Sequence, residues 1–99
     1  MVQLGVSRYA WEPEAIEDVH ARGIEPYEVM QALQRQRRVR RWLSDDVLGI
    51  WSKSQHGRHL LVMVAEAGPD GDFEYWILGA REMFPGERKW FDNLMGGST

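Results

Sequence analysis

The stretch from Gly57 to Arg88, GRHLLVMVAEAGPDGDFEYWILGAREMFPGER, decides how the chain is read. His59 to Ala65 is an apolar run of strand length, and Gly68-Pro69-Asp70-Gly71-Asp72 is dense in residues that favour turns. Phe73 to Ala80 then sets Phe73, Tyr75 and Ile77 against Glu74, Trp76 and Leu78, the alternation of a second strand. The two segments predict adjacent antiparallel strands in the middle of a sheet, joined by a short loop. After Pro85 and Gly86, the residues Glu87, Trp90, Phe91 and Leu94 recur at spacings of three and four, which predicts an amphipathic helix over 87–94. Arg81 then ends one strand, Arg58 precedes the other, and the pair Glu87-Arg88 opens the helix at the same end of the sheet.

Outward from this stretch, Ser7 to Trp11 alternates like a short edge strand. Pro13 opens a helix with Glu12, Glu14 and Glu17 around its first turn and Ile16, Val19 and His20 as its core-facing stripe, and Gly23 is placed to end it in the left-handed region. Pro26 opens a second helix in the same way, burying Val29, Ala32 and Leu33. Gln34 to Leu43 can be helical or extended by spacing; a break near Arg35-Gln36 followed by a strand is the reading adopted. Ser44-Asp45-Asp46 is a turn, Val47 to Trp51 a third short strand, Lys53 to Gly57 a polar hairpin loop, and the tail after Met95 has nothing to bury. The expected fold is therefore a single α+β domain over residues 1–99, a small, mostly antiparallel sheet with two N-terminal helices and one C-terminal helix.

Composition narrows the function classes. The absence of cysteine excludes disulfides and thiolate metal sites, and no motif calls for a cofactor. No apolar stretch approaches membrane-spanning length, so a cytoplasmic protein without a membrane partner is expected. The net charge of −3 disfavours indiscriminate nucleic-acid binding, but it is unevenly spread. Residues 1–34 carry six acidic and two basic side chains, 35–59 two and seven, and 60–99 seven and three, so the middle is a basic island. Ten of the twelve basic residues are arginine, which suits bidentate contacts to carboxylate or phosphate.

The order of Gly57-Arg58 before an apolar strand, a strand ending in Gly79-Ala80-Arg81, then Met83 and Glu87-Arg88 opening a helix with aromatic residues further on resembles the BrnT-like toxins of bacterial toxin–antitoxin systems. The N-terminal half agrees, with Trp11 leading into a short helix closed by Arg22-Gly23-Ile24, then Pro26 and Glu28-Val29; the likeness runs from about Tyr9 to Phe91. The resemblance implies a RelE-like fold, a metal-independent ribonuclease acting on RNA, and a cognate antitoxin as partner, with a homo-oligomer compatible. It also implies that Arg58, Arg81 and Arg88 stabilise the scissile phosphate; for the proton, Glu87 or His59 is the substitute this sequence offers. The sequence departs from the family's basic pair before the first turn, since Ala21 and Arg22 stand there and His20 is displaced. The alternative is a catalytically degenerate module that binds a protein partner or RNA without cleavage.

Each candidate has a plainer reading. Glu87 and Arg81 can be a salt bridge fixing the last helix to the sheet. Arg35, Arg37, Arg38, Arg40 and Arg41, five cations in seven residues, can line a groove for RNA or an acidic partner, or form a solvated edge whose charge blocks aggregation. Trp42 can stack a base beside them, while Trp11, Trp76 and Trp90 are assigned to the core. His56 and His59 share an H-x-x-H spacing, but a glycine and a strand start between them argue against a metal site.

Overall fold

The computed structural model describes residues 8–69 and 72–96. Its elements are β1 (Tyr9–Trp11), α1 (Pro13–Ala21), α2 (Pro26–Gln34), β2 (Val39–Trp42), β3 (Leu48–Lys53), β4 (His59–Glu66), β5 (Tyr75–Glu82) and α3 (Pro85–Leu94). The fold is α+β, with one five-stranded sheet in the order β1-β5-β4-β3-β2. Every pairing is antiparallel except that of β1 with β5, and β4 and β5 are central neighbours as expected. Residues 1–7, 70–71 and 97–99 lie outside the described residues, and with them the readings made of Ser7, Asp70-Gly71 and the end of the tail. Among the described residues, no helix is long and apolar enough to cross a membrane.

Each helix begins on a proline whose preceding residue is extended: Glu12, Glu25 and Phe84 have ψ of 134°, 140° and 159°. The proline ring disfavours a helical predecessor while its own fixed φ suits the first helical position, so X-Pro marks the boundary. This is why α3 starts at Pro85, two residues before the periodicity alone suggested. Helix α1 closes with Gly23 at φ +80°, its N–H on His20 O at 2.9 Å and that of Ile24 on Val19 O at 2.9 Å. Val19 and Ile24, both buried, meet beneath that turn.

Strand parity then sorts the side chains. Leu48, Ile50, Leu60, Val62, Val64, Ile77 and Ala80 form one face, packed against Val19, Ile24, Val29, Ala32 and Leu33 of α1, α2 and their turn. On the other face Trp51 and Leu61 pack with Met83 and Phe91, under α3. An irregularity in the β4–β5 ladder falls between Met63, opposite Gly79, and Val64, opposite Ile77, leaving Leu78 without an opposite residue and 38% exposed.

Three core assignments are corrected. Ala15 and Val19, not Ile16 and His20, form the buried stripe of α1; Ile16 is 40% exposed and His20 lies 3.7 Å from Glu25 at the surface. In a nine-residue helix a shift of one position rotates the stripe by about 100°, and the buried pair follows the turn at Gly23. Trp51 lies in the core at 7% exposure, Trp11 and Trp90 pack half-buried against the two core clusters, and Trp76 is half-buried, edge-on to Phe73.

Candidate functional site

Two of the expected catalytic arginines do reach the same end of the sheet, but on opposite faces. Arg81 sits opposite Leu61, whereas Arg58 precedes that residue by three, an odd number of strand positions. Arg58 consequently turns toward α2, where its Nη1 donates to Glu28 Oε1 and to Gly23 O at 2.8 Å each and its Nε to Glu82 Oε2 at 2.7 Å. Arg81 turns toward α3, donating through Nη1 to Glu87 Oε1 at 2.7 Å and through Nη2 to Glu87 Oε2 at 3.1 Å. A single three-arginine clamp on one phosphate is therefore not assembled.

The two arginines share a design. Glu28 and Glu87 each stand at the third helical position, and the Oε1 of each accepts its own helix-capping N–H: Glu25 N at 3.0 Å and Phe84 N at 2.8 Å. The same oxygen then accepts an arginine from the sheet. Each glutamate thus caps a helix and ties it to the strands, one on either face. Glu87 is held further by Trp51 Nε1, which donates to Oε2 at 3.2 Å, and Arg81 lies 4.1 Å from the Phe84 ring centre. The Arg81 hydrogen bonds, with those from Phe84 N and Trp51, lower the Glu87 pKa to about 2. A carboxylate so stabilised keeps its negative charge and does not shuttle protons near neutrality. Hydrogen bonding to Glu82 likewise raises the Arg58 pKa.

What remains near the strand ends is a small cleft of about 200 Å³ lined by Gly57, Arg58, His59, Glu82, Met83 and Arg88. His59, edge-on to Phe91, brings Nε2 to 2.8 Å from Asp92 Oδ1, and that bond lowers the Asp92 pKa. An ionised Asp92 accepts from His59 Nε2 and so fixes the orientation of the ring. Arg88 makes no ion pair among the described residues. Asp92 was not singled out from the sequence; its spacing from Arg88 along α3 was the available signal. Among the described residues, no three histidine or carboxylate side chains are grouped to hold a metal ion.

The basic island has the opposite character. None of Arg35, Arg37, Arg38, Arg40 and Arg41 forms an ion pair with a described carboxylate, while Arg8, Arg22, Arg58 and Arg81 all do. Their partners are neutral: Arg35 donates to Lys53 O, Arg37 to Met95 O, Arg38 to Arg35 O and Arg40 to Tyr75 Oη, and Arg41 lies 5.4 Å from the Trp90 ring centre. Arg38 Nε is buried with no acceptor among the described residues. Trp42 beside them is 56% exposed. Arg35 and Arg37, with Lys53, also rim an open cleft of about 580 Å³ floored by Phe91 and Met95. Five full positive charges held together without counter-ions form a surface suited to a polyanion.

No family model matches the chain, and no curated protein matches it significantly.

Proposed function

We propose that the chain is a BrnT-like module, the toxin-side member of a bacterial toxin–antitoxin pair, that binds RNA through Arg35, Arg37, Arg38, Arg40 and Arg41 without cleaving it. The observation that carries this reading is the contrast between the two arginine sets. Two of the three arginines expected to grip a scissile phosphate, Arg58 and Arg81, are already ion-paired with Glu28, Glu82 and Glu87, and a phosphate entering there would have to displace a carboxylate. The arginines of the basic island have donors to spare and no anion. Trp42 adds an exposed ring on which a base can stack. The family assignment rests on the order of motifs between Tyr9 and Phe91.

A second reading, the metal-independent ribonuclease, has one observation in its favour. His59, oriented by Asp92 and set beside Arg88, has the parts to take the proton from a ribose 2′-hydroxyl while Arg88 faces the phosphate. The two readings separate when purified protein is incubated with single-stranded RNA in EDTA, alongside folded His59→Ala and Arg88→Ala variants. The binding module is expected to retain RNA and leave it intact in all three. Cleavage by the parent that both variants lose would replace it with the ribonuclease.

A further inference from the structure

Strand β2 ends the sheet, and no described strand lies beyond it. Which of its backbone groups are free follows from the ladder. The Leu43 N–H donates to Val47 O at 2.8 Å, and these two positions stand opposite in the register that also opposes Arg41 to Gly49 and Val39 to Trp51. Bonded and unbonded pairs alternate along an antiparallel ladder, so Val39, Arg41 and Leu43 bond to β3, and the N–H and C=O groups of Arg40 and Trp42 point outward. No described backbone or side-chain group takes them up.

An edge of this kind accepts an extended segment by strand addition. The side chains say which segment. Val39 and Arg41 share the face on which α3 lies, as the contact of Arg41 with Trp90 requires, and Arg40 and Trp42 share the other. An incoming strand meets in succession an apolar residue, two cations and a half-exposed aromatic ring. Its complement is apolar, acidic, acidic, apolar, a pattern that reads alike in either chain direction. A second copy of this strand is a poor occupant, since it would set arginines against arginines. RNA can satisfy the guanidinium groups but has no strand to offer the ladder.

We propose that β2 is a docking edge for an extended acidic segment of a partner protein, which adds a sixth strand, meets Arg40 and Arg41 with adjacent carboxylates, and thereby excludes RNA. The exclusion rests on the RNA-binding reading above; the strand addition does not. The test is fluorescence anisotropy at low salt with a labelled peptide carrying Ile-Glu-Asp-Val between Gly-Ser flanks. It is compared with a peptide reordered to Ile-Glu-Val-Asp and with two peptides N-methylated at alternate backbone nitrogens, one in each phase, and competed with oligouridylate.

Strand pairing engages alternate residues only. Methylation in one phase is therefore expected to weaken binding by about tenfold or more and in the other phase to change it little, with the reordered peptide also weaker and the intact one displacing RNA. Equal binding by the reordered peptide and both methylated peptides would overturn the proposal in favour of bare charge attraction. RNA binding without peptide binding would overturn it and leave the RNA reading standing. Phase-dependent peptide binding without RNA binding would support the docking edge and remove the RNA reading.

Discussion

Glu87 concentrates three roles in one carboxylate: it caps α3, holds Arg81 and receives the Trp51 indole. Its lowered pKa, about 2 against an ordinary 4.5, makes it a source of acid sensitivity. Because the folded-state pKa lies below the unfolded one, the stabilisation is fully present above about pH 4.5 and is lost as pH falls toward 2, where both states hold the proton. The contribution is on the order of 2 kcal/mol. Glu87→Gln should therefore be less stable than the parent at pH 7, and the gap should narrow on acidification. Thermal denaturation of both proteins between pH 7 and pH 2.5 checks this; parallel profiles would contradict it. The Arg81–Glu87 bridge was legible in the sequence, as the plainer reading of that pair, because the two residues flank one short connection. Arg58's attachment to Glu28 was not, because thirty residues separate them and only strand parity decides which face an arginine at a strand's end will meet.

At the scale of elements, the turn between α1 and α2 depends on Gly23. Its φ of +80° disfavours any residue with a Cβ, although nothing lies within 4 Å of where that Cβ would stand. Gly23→Ala should thus cost about 1 kcal/mol from backbone strain alone, without a steric clash, and lower Tm by roughly 4–8 °C. An unchanged melting temperature would mean that the turn is held by other contacts. The elements were largely visible in advance: Pro13 and Pro26 mark helix starts, the spacing over 87–94 marks the last helix, and the apolar runs on either side of the 68–72 turn mark the central strands. What was not visible depends on tertiary context. The stripe of α1 was misplaced because nine residues are too few to fix a helical phase, and Trp51 was not singled out for the core because a residue's neighbours in sequence do not reveal which face of a strand it takes. Those same ambiguities kept the candidate site from being read correctly, since its geometry depends on faces.

For the whole molecule, a net charge of −3 hides a division between saturated and unsaturated cations. Glu28 of α2 and Glu87 of α3 neutralise arginines at the helix–sheet junctions, Asp18 of α1 neutralises Arg22 at the end of its own helix, and the surplus positive charge is left on β2 and the segment before it. Binding of single-stranded RNA should accordingly weaken steeply with salt. If three to five guanidinium groups each replace a counterion, log K should fall with log salt at a slope of about −2 to −3.5. Arg40→Glu combined with Arg41→Glu, both at exposed positions of an edge strand, should remove two contacts without unfolding the domain. The most direct measurement is the affinity for oligouridylate across a salt series, in EDTA, for the parent and this double variant. The account predicts a linear salt dependence for the parent, a slope shallower by about 1.4 for the variant, and at least a tenfold loss of affinity at low salt. Equal affinities and equal slopes in the two proteins would contradict it.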